Sequence, residues 1–126
     1  MLDGHPWDEA RVRRALPALL ESDRVGVIWL IDCPAVGYLV ITWGYSIEAG
    51  GTEALLDEVY LRSRGQGLGR AALREALDDL RARGMPRIFL ETERHNAAAR
   101  EFYASLGFEE ENSIWMQRSL QASAEC

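Results

Sequence analysis

Cysteine is scarce in this chain of 126 residues: Cys33 and Cys126 are the only two, far apart and one of them terminal. That excludes a disulfide framework and argues against a cysteine-built metal site. No apolar run reaches the roughly 18 residues of a membrane span. The opening Met1-Leu2-Asp3-Gly4-His5 lacks the basic residues of a secretory leader. These absences point to a cytoplasmic protein that does not engage a membrane. Positive charge is outweighed, with 14 Lys and Arg against 20 Asp and Glu and a net charge of −6. General nucleic-acid binding needs a basic footprint, which this balance denies. An acidic surface would favour encounter with cationic amines, although it also serves plain solubility. Internal repeats, low-complexity tracts and linkers are absent too. The 48% hydrophobic content is normal for a chain that buries a core, and the length suits one domain over residues 1–126.

Periodicity supplies the elements. Asp8 to Glu21 carries Val12, Leu16, Leu19 and Leu20 on one helical stripe, and Pro17 inside it predicts a kink or two short helices. Val25 to Ile31 and Val36 to Tyr45 read as strands, rich in β-branched and aromatic residues. Glu48 to Thr52 marks a turn, and Ala54 to Leu61 a third strand. Leu73, Ala76, Leu77 and Leu80 place a helix over about residues 67–83, which Gly84 and Pro86 end. Ile88 to Glu93 is a fourth strand. Asn96 suits the N-cap of a short helix through Leu106, with Gly107 as its stop. Ser113 to Leu120 reads as a final strand. This order predicts an α/β (α+β) domain, a mixed sheet with helices on both faces.

The chemistry is concentrated in Leu61-Arg62-Ser63-Arg64-Gly65-Gln66-Gly67-Leu68-Gly69-Arg70. Glycines alternate between a strand and a helix. A helix opening after such a turn presents unpaired N–H groups and the positive end of its dipole, a seat for phosphate. No Lys-Ser/Thr follows the glycines, so the run is not a P-loop. Their constant spacing of two also departs from the dinucleotide fingerprint. The turn could still be a plain tight connection. It matches Arg/Gln-x-x-Gly-x-Gly/Ala, read as Arg64-x-x-Gly67-x-Gly69. A second block follows a strand: Asn96, Ala99, Phe102, Tyr103, Gly107 and Phe108 fit Asn-x-x-Ala-x-x-Phe-Tyr-x-x-x-Gly-Phe. With both blocks at this separation, the chain resembles the GNAT superfamily of acetyl-CoA-dependent N-acetyltransferases over about residues 25–119.

The resemblance implies a mostly antiparallel sheet and transfer of an acetyl group from acetyl-CoA directly to a primary amine acceptor. Backbone N–H groups of Gly65, Gln66, Gly67, Leu68, Gly69 and Arg70 would hold the pyrophosphate, with charge from Arg64 and Arg70. The strand before the turn would splay from its neighbour and offer the backbone of Val59 and Leu61 to the pantetheine amides. Asn96 caps its helix and, in the family, also contacts the cofactor; Arg100 lies one turn later, either near a phosphate or merely exposed. Tyr103 would protonate the leaving thiolate, since a phenol carries its proton at pH 7. Asp57 or Glu58 would accept the amine proton. Strand alternation puts the two on opposite faces, with Asp57 sharing the parity of Val59 and Leu61. His95 is a further base by chemistry. Tyr38, Trp43 and Tyr45, with Glu48, would form an aromatic and acidic wall for a cationic small molecule.

Compared with the family, the usual first strand and helix have no counterpart here. The first strand is then an exposed edge, through which a homodimer would form. Two rivals accompany this reading: a non-catalytic acyl-CoA-binding or protein-interaction module, and a nucleotide-phosphate binder of another fold.

Overall fold

Apolar residues at every second position make Gly26–Ile31 (β1) and Gly37–Ser46 (β2) an antiparallel pair, with Val27 opposite Ile41 and Trp29 opposite Leu39. The computed structural model describes residues 9–32, 35–62 and 67–121. Arg64, Gly65, Gln66 and both cysteines lie outside them. β2 continues antiparallel into Gly51–Leu61 (β3). The chain then crosses over through Leu68–Ala82 (α2) to a short parallel strand, Ile88–Phe89 (β4), giving the sheet order β1-β2-β3-β4. A helix, Glu9–Glu21 (α1), precedes the sheet, and Ala97–Ala104 (α3) follows it.

The core lies on one face. Ile31, Leu39, Ile41, Ala54 and Leu56 from the sheet meet Leu73, Ala76 and Leu80 of α2 and Tyr103 of α3. Leu73, Ala76 and Leu80 recur at helical spacing, so α2 turns a single stripe inward. Full burial of a leucine is worth roughly 1.5–3 kcal/mol. Leu39, Ile41, Leu56 and Leu73 are the largest side chains so placed. The opposite face is less covered: Leu30 and Tyr60 are 70% and 49% exposed, and α1 buries no residue fully. β1 is an edge strand, as expected from the sequence.

Of the two outcomes expected at Pro17, a kink or two short helices, the second does not occur: a single helix, α1, runs through it. The ring removes the bond to the Arg13 carbonyl, and Arg13 is exposed, so water can serve that carbonyl. The strand expected over Ile88–Glu93 pairs only at Ala54↔Ile88 and Leu55↔Phe89, after which β3 and β4 part. Ser113–Leu120 forms no strand, for no neighbour among the described residues pairs with it, and Ile114, Trp115, Met116 and Leu120 stand 76–90% exposed.

Candidate active site

The parting of β3 and β4 begins at an irregularity in β3. Val40 pairs with Glu58 but Ile41 with Leu56, so Asp57 has no partner on β2. A bulge of this kind bends its strand and increases local twist. It also overturns the simple alternation expected for this strand. Leu56 and Val59, three apart, both pack against the core, so Asp57 does not share the face of Val59 and Leu61 by parity. Between the parted strands opens a groove of about 1230 Å³, lined by Asp57 and Glu58 on one side, Leu90 and Thr92 on the other, and Tyr103 from α3.

Beyond the end of β3 stands the N-terminus of α2. Gly67 caps it in the left-handed region, φ 73°, with no side-chain cap bond among the described residues. The Gly67 carbonyl accepts from Ala71, the first bond of the helix, and the earlier amides lie at the positive end of the helix dipole, which favours an anion. Gly69 allows this end to sit on β3: a Cβ there would come within 2.8 Å of Leu61 Cδ1. Leu68 and Leu61 are half-buried against the core and fix the approach.

The flanking arginines are engaged within the protein. Arg70 donates to Ser105 Oγ at 2.7 Å and lies 5.4 Å from the Phe102 ring centroid, tying α2 to α3. Arg100 holds Glu110 through contacts of 3.1–3.3 Å and donates to the Arg94 carbonyl at 2.9 Å. Asn96 caps α3, its Oδ1 accepting from Ala99 N–H at 3.2 Å. That places Tyr103 two turns along, only 8% exposed, with Phe102 and Phe108 edge-on at 5.2 and 5.7 Å.

The two carboxylates on β3 differ. Glu58 Oε1 accepts from the Tyr38 hydroxyl at 2.6 Å, and Tyr38 stacks obliquely on Tyr60. Burial, then the hydrogen bond and charge of Glu58, push the Tyr38 phenol far above its usual pKa, so it remains a donor. Asp57 has its pKa raised by desolvation and then by the adjacent Glu58 charge. A raised folded pKa means that the associated stability is complete below the unfolded value of about 3.9 and is lost as pH rises through the folded value. Ionised Asp57 therefore weakens the fold at neutral pH. Asp57→Asn is expected to raise Tm at pH 7 by about 1–2 °C, a gain kept small by solvent screening. The gain should vanish below about pH 3.5, where both states hold the proton. Thermal unfolding across this range checks it; an unchanged Tm at pH 7 would refute it.

The aromatic wall does not form. Tyr38 lies on the less covered face, whereas Trp43 pairs with Ala54 on the core side, donates to the Asp23 carbonyl at 2.7 Å and carries Arg83 at 5.6 Å. β2 runs without a bulge between them, so an odd residue separation puts them on opposite faces. Tyr45 is 82% exposed, and Glu48 lies 3.8 Å from Arg87.

A match to the Acetyltransferase (GNAT) family model runs over residues 2–108. The chain belongs to the GNAT family. Among its relatives, the mycothiol acetyltransferase of Beutenbergia cavernae is 36% identical over 87 residues, 65% of this chain and 28% of that protein. The [ribosomal protein bS18]-alanine N-acetyltransferase of Escherichia coli K12 is 42% identical over 66 residues, 47% of this chain and 45% of that protein. The matched stretch thus spans less than half of either relative. In three dimensions, an integron cassette protein from the mobile metagenome of Cole Harbour Salt Marsh superposes with a TM-score of 0.78 at 32% identity, covering 95% of this chain and 76% of that one.

Within this GNAT domain, sequence reading passed over Glu91 and Thr92, both in the groove lining. Thr92 Oγ1 is buried with no hydrogen-bond partner among the described residues. A threonine on the alternating run Leu90-Glu91-Thr92 was the available signal, but the run looked like ordinary strand.

Proposed function

We propose that the protein is an N-acetyltransferase that takes its acetyl group from acetyl-CoA and passes it directly to a primary amine. The observation that carries this reading is the parting of β3 from β4, which bares the backbone along the end of β3, with the glycine-opened N-terminus of α2 following that same strand. A ligand with an extended amide-bearing arm and a pyrophosphate fits such a path. The anion sits on the helix end, and the arm adds as a strand to the backbone of Val59 and Leu61. Acetyl-CoA supplies the activated thioester.

The chain's own residues divide the remaining work. The amides of Gly67 to Arg70 hold the pyrophosphate, together with Arg64, Gly65 and Gln66, which lie outside the described residues. Arg70 braces α2 against α3 and so fixes the distance from the anion seat to Tyr103. Asn96 and Arg100 fix the pitch of α3 and its exit. The Tyr103 hydroxyl donates its proton to the departing sulfur. Asp57 takes the amine proton. Its raised pKa makes it the better acceptor of the pair, because Glu58 is already bonded to Tyr38. Positioning supplies most of the rate.

For the acceptor, a cationic small molecule accords with the net charge of −6 and with the carboxylates in the groove. The names of the relatives span mycothiol and an alanine of ribosomal protein bS18. Calorimetric titration with acetyl-CoA, with ATP as control, tests the donor. One-site binding at micromolar Kd by acetyl-CoA alone is expected; absence of binding to a folded sample removes the enzyme reading. Binding without turnover across a broad panel of amines would instead favour an acyl-CoA-binding module.

A further inference from the structure

Among the described residues a single buried side-chain oxygen lacks a hydrogen-bond partner, Oγ1 of Thr92. Most buried polar groups are paired, so an orphan of this kind marks a missing partner. Its address narrows what that partner is. Thr92 lines the groove between the parted strands. Ile88 and Leu90 pack against the core, whereas Glu91 and Glu93 are exposed. The continuation of β4 thus keeps the alternation of a strand, and Thr92 shares the inner side with Ile88 and Leu90. The parallel ladder ends at Leu55↔Phe89. Counting three residues on from that pair along both segments puts Thr92 level with Glu58, where the backbone of Val59 and Leu61 begins. Leu90, nearer the ladder, brings only carbon to this side of the wedge.

We infer that Thr92 is a positioning residue for the acyl donor: its hydroxyl donates to an amide carbonyl of the donor's extended arm, from the β4 side of the wedge. This rests on the acetyl-CoA reading above and adds to it a residue of this chain. An arm that adds to β3 as a strand leaves half of its polar groups unmet. A trans amide points its N–H and its C=O to opposite edges, so an amide that donates to β3 turns its carbonyl toward β4. The ladder has already ended there, and the hydroxyl of Thr92 is a donor at that level. In the empty chain the oxygen is closed to solvent although the residue lines the groove. One staggered step about χ1 re-aims it toward the arm. The arm is then gripped on both edges, which keeps its reactive end in register with Tyr103. A ligand with the nucleotide but no arm gains nothing from Thr92.

Calorimetric titration with acetyl-CoA and with 3′-phospho-ADP, which carries the diphosphate without the arm, separates the arm from the anion seat. Thr92→Val keeps the shape of the side chain and removes the hydroxyl. It should weaken acetyl-CoA about fivefold, the scale of one hydrogen bond, and leave 3′-phospho-ADP unchanged. Thr92→Ser should retain the wild-type affinity. The Tm of the empty Thr92→Val chain should hold or rise, because no bond within the protein is lost. Equal binding of acetyl-CoA by wild type and Thr92→Val overturns the inference and leaves the donor reading intact. Three other results overturn it in the same way: parallel weakening of both ligands, loss of affinity in Thr92→Ser, or a fall in Tm of empty Thr92→Val. Each would mean that the residue serves packing or a bond inside the protein. A folded wild type that ignores acetyl-CoA removes the donor reading, and this inference with it.

Discussion

Tyr103→Phe is expected to lower kcat about a hundredfold or more, with little change in the Kd for acetyl-CoA. Removing a general acid typically costs 10²–10⁴ in rate. The substitution deletes one oxygen and keeps the ring that packs edge-on against Phe102 and Phe108, so the core position at 8% exposure stays filled. Tyr103→Ala would confound the test by opening a cavity worth several kcal/mol. Steady-state kinetics with a good acceptor, paired with a binding titration, separates chemistry from seating. The rate should recover partly with a thioester whose thiol is a better leaving group, which needs less protonation. Full turnover by Tyr103→Phe would show that the phenol only packs.

Deleting Asp57 should produce the second large effect. The deletion removes the one residue of β3 without a partner on β2, and the register on either side already matches a regular ladder. The variant should therefore fold, with Ala54 and Leu56 still opposite Trp43 and Ile41. What it should lose is the bend that parts β3 from β4. Affinity for acetyl-CoA is expected to fall more than tenfold, about 1.4 kcal/mol. Asp57→Ala, which keeps the bulge and removes only the carboxylate, should bind normally and lose rate alone. Circular dichroism establishes the fold of each, and titration reads the difference. Equal binding by the two variants would mean that the bulge does not set the groove.

The bulge also shows where the sequence could be read and where it was misread. Core positions on β3 fall at Ala54, Leu56, Val59 and Leu61, spacings of two, three and two. The interval of three is visible in the letters. It was masked by Leu55, an apolar residue on the opposite face, which let the run pass as uninterrupted alternation. The helices were easier, since Leu73, Ala76 and Leu80 allow only one inward stripe, and Asn96 acts as the cap its side chain suggested. The glycine turn was legible because the physics is local: a left-handed cap at Gly67 and a close approach at Gly69. The length of β4 was not, because pairing depends on whether a neighbouring strand stays alongside. The same holds for Ser113–Leu120, whose Ile114 and Met116 suggest a strand but which pairs with no strand among the described residues. The relative placement of Tyr38 and Trp43 needed only the parity of β2, and the proposed wall overlooked it.

The unequal joints of the sheet have a thermodynamic consequence. β2 and β3 share a ladder of ten pairs, whereas β3 and β4 share two. The half of the molecule built from β4 and α3 is thus held to the meander mainly through side-chain packing. A ligand lying across the wedge would supply main-chain bonds that the two halves do not make with each other. Its affinity then becomes part of the cohesion of the fold, growing as RT ln(1 + [L]/Kd). Occupancy and cooperativity of unfolding would rise together, and the empty protein would melt with its two halves less tightly coupled than the filled one.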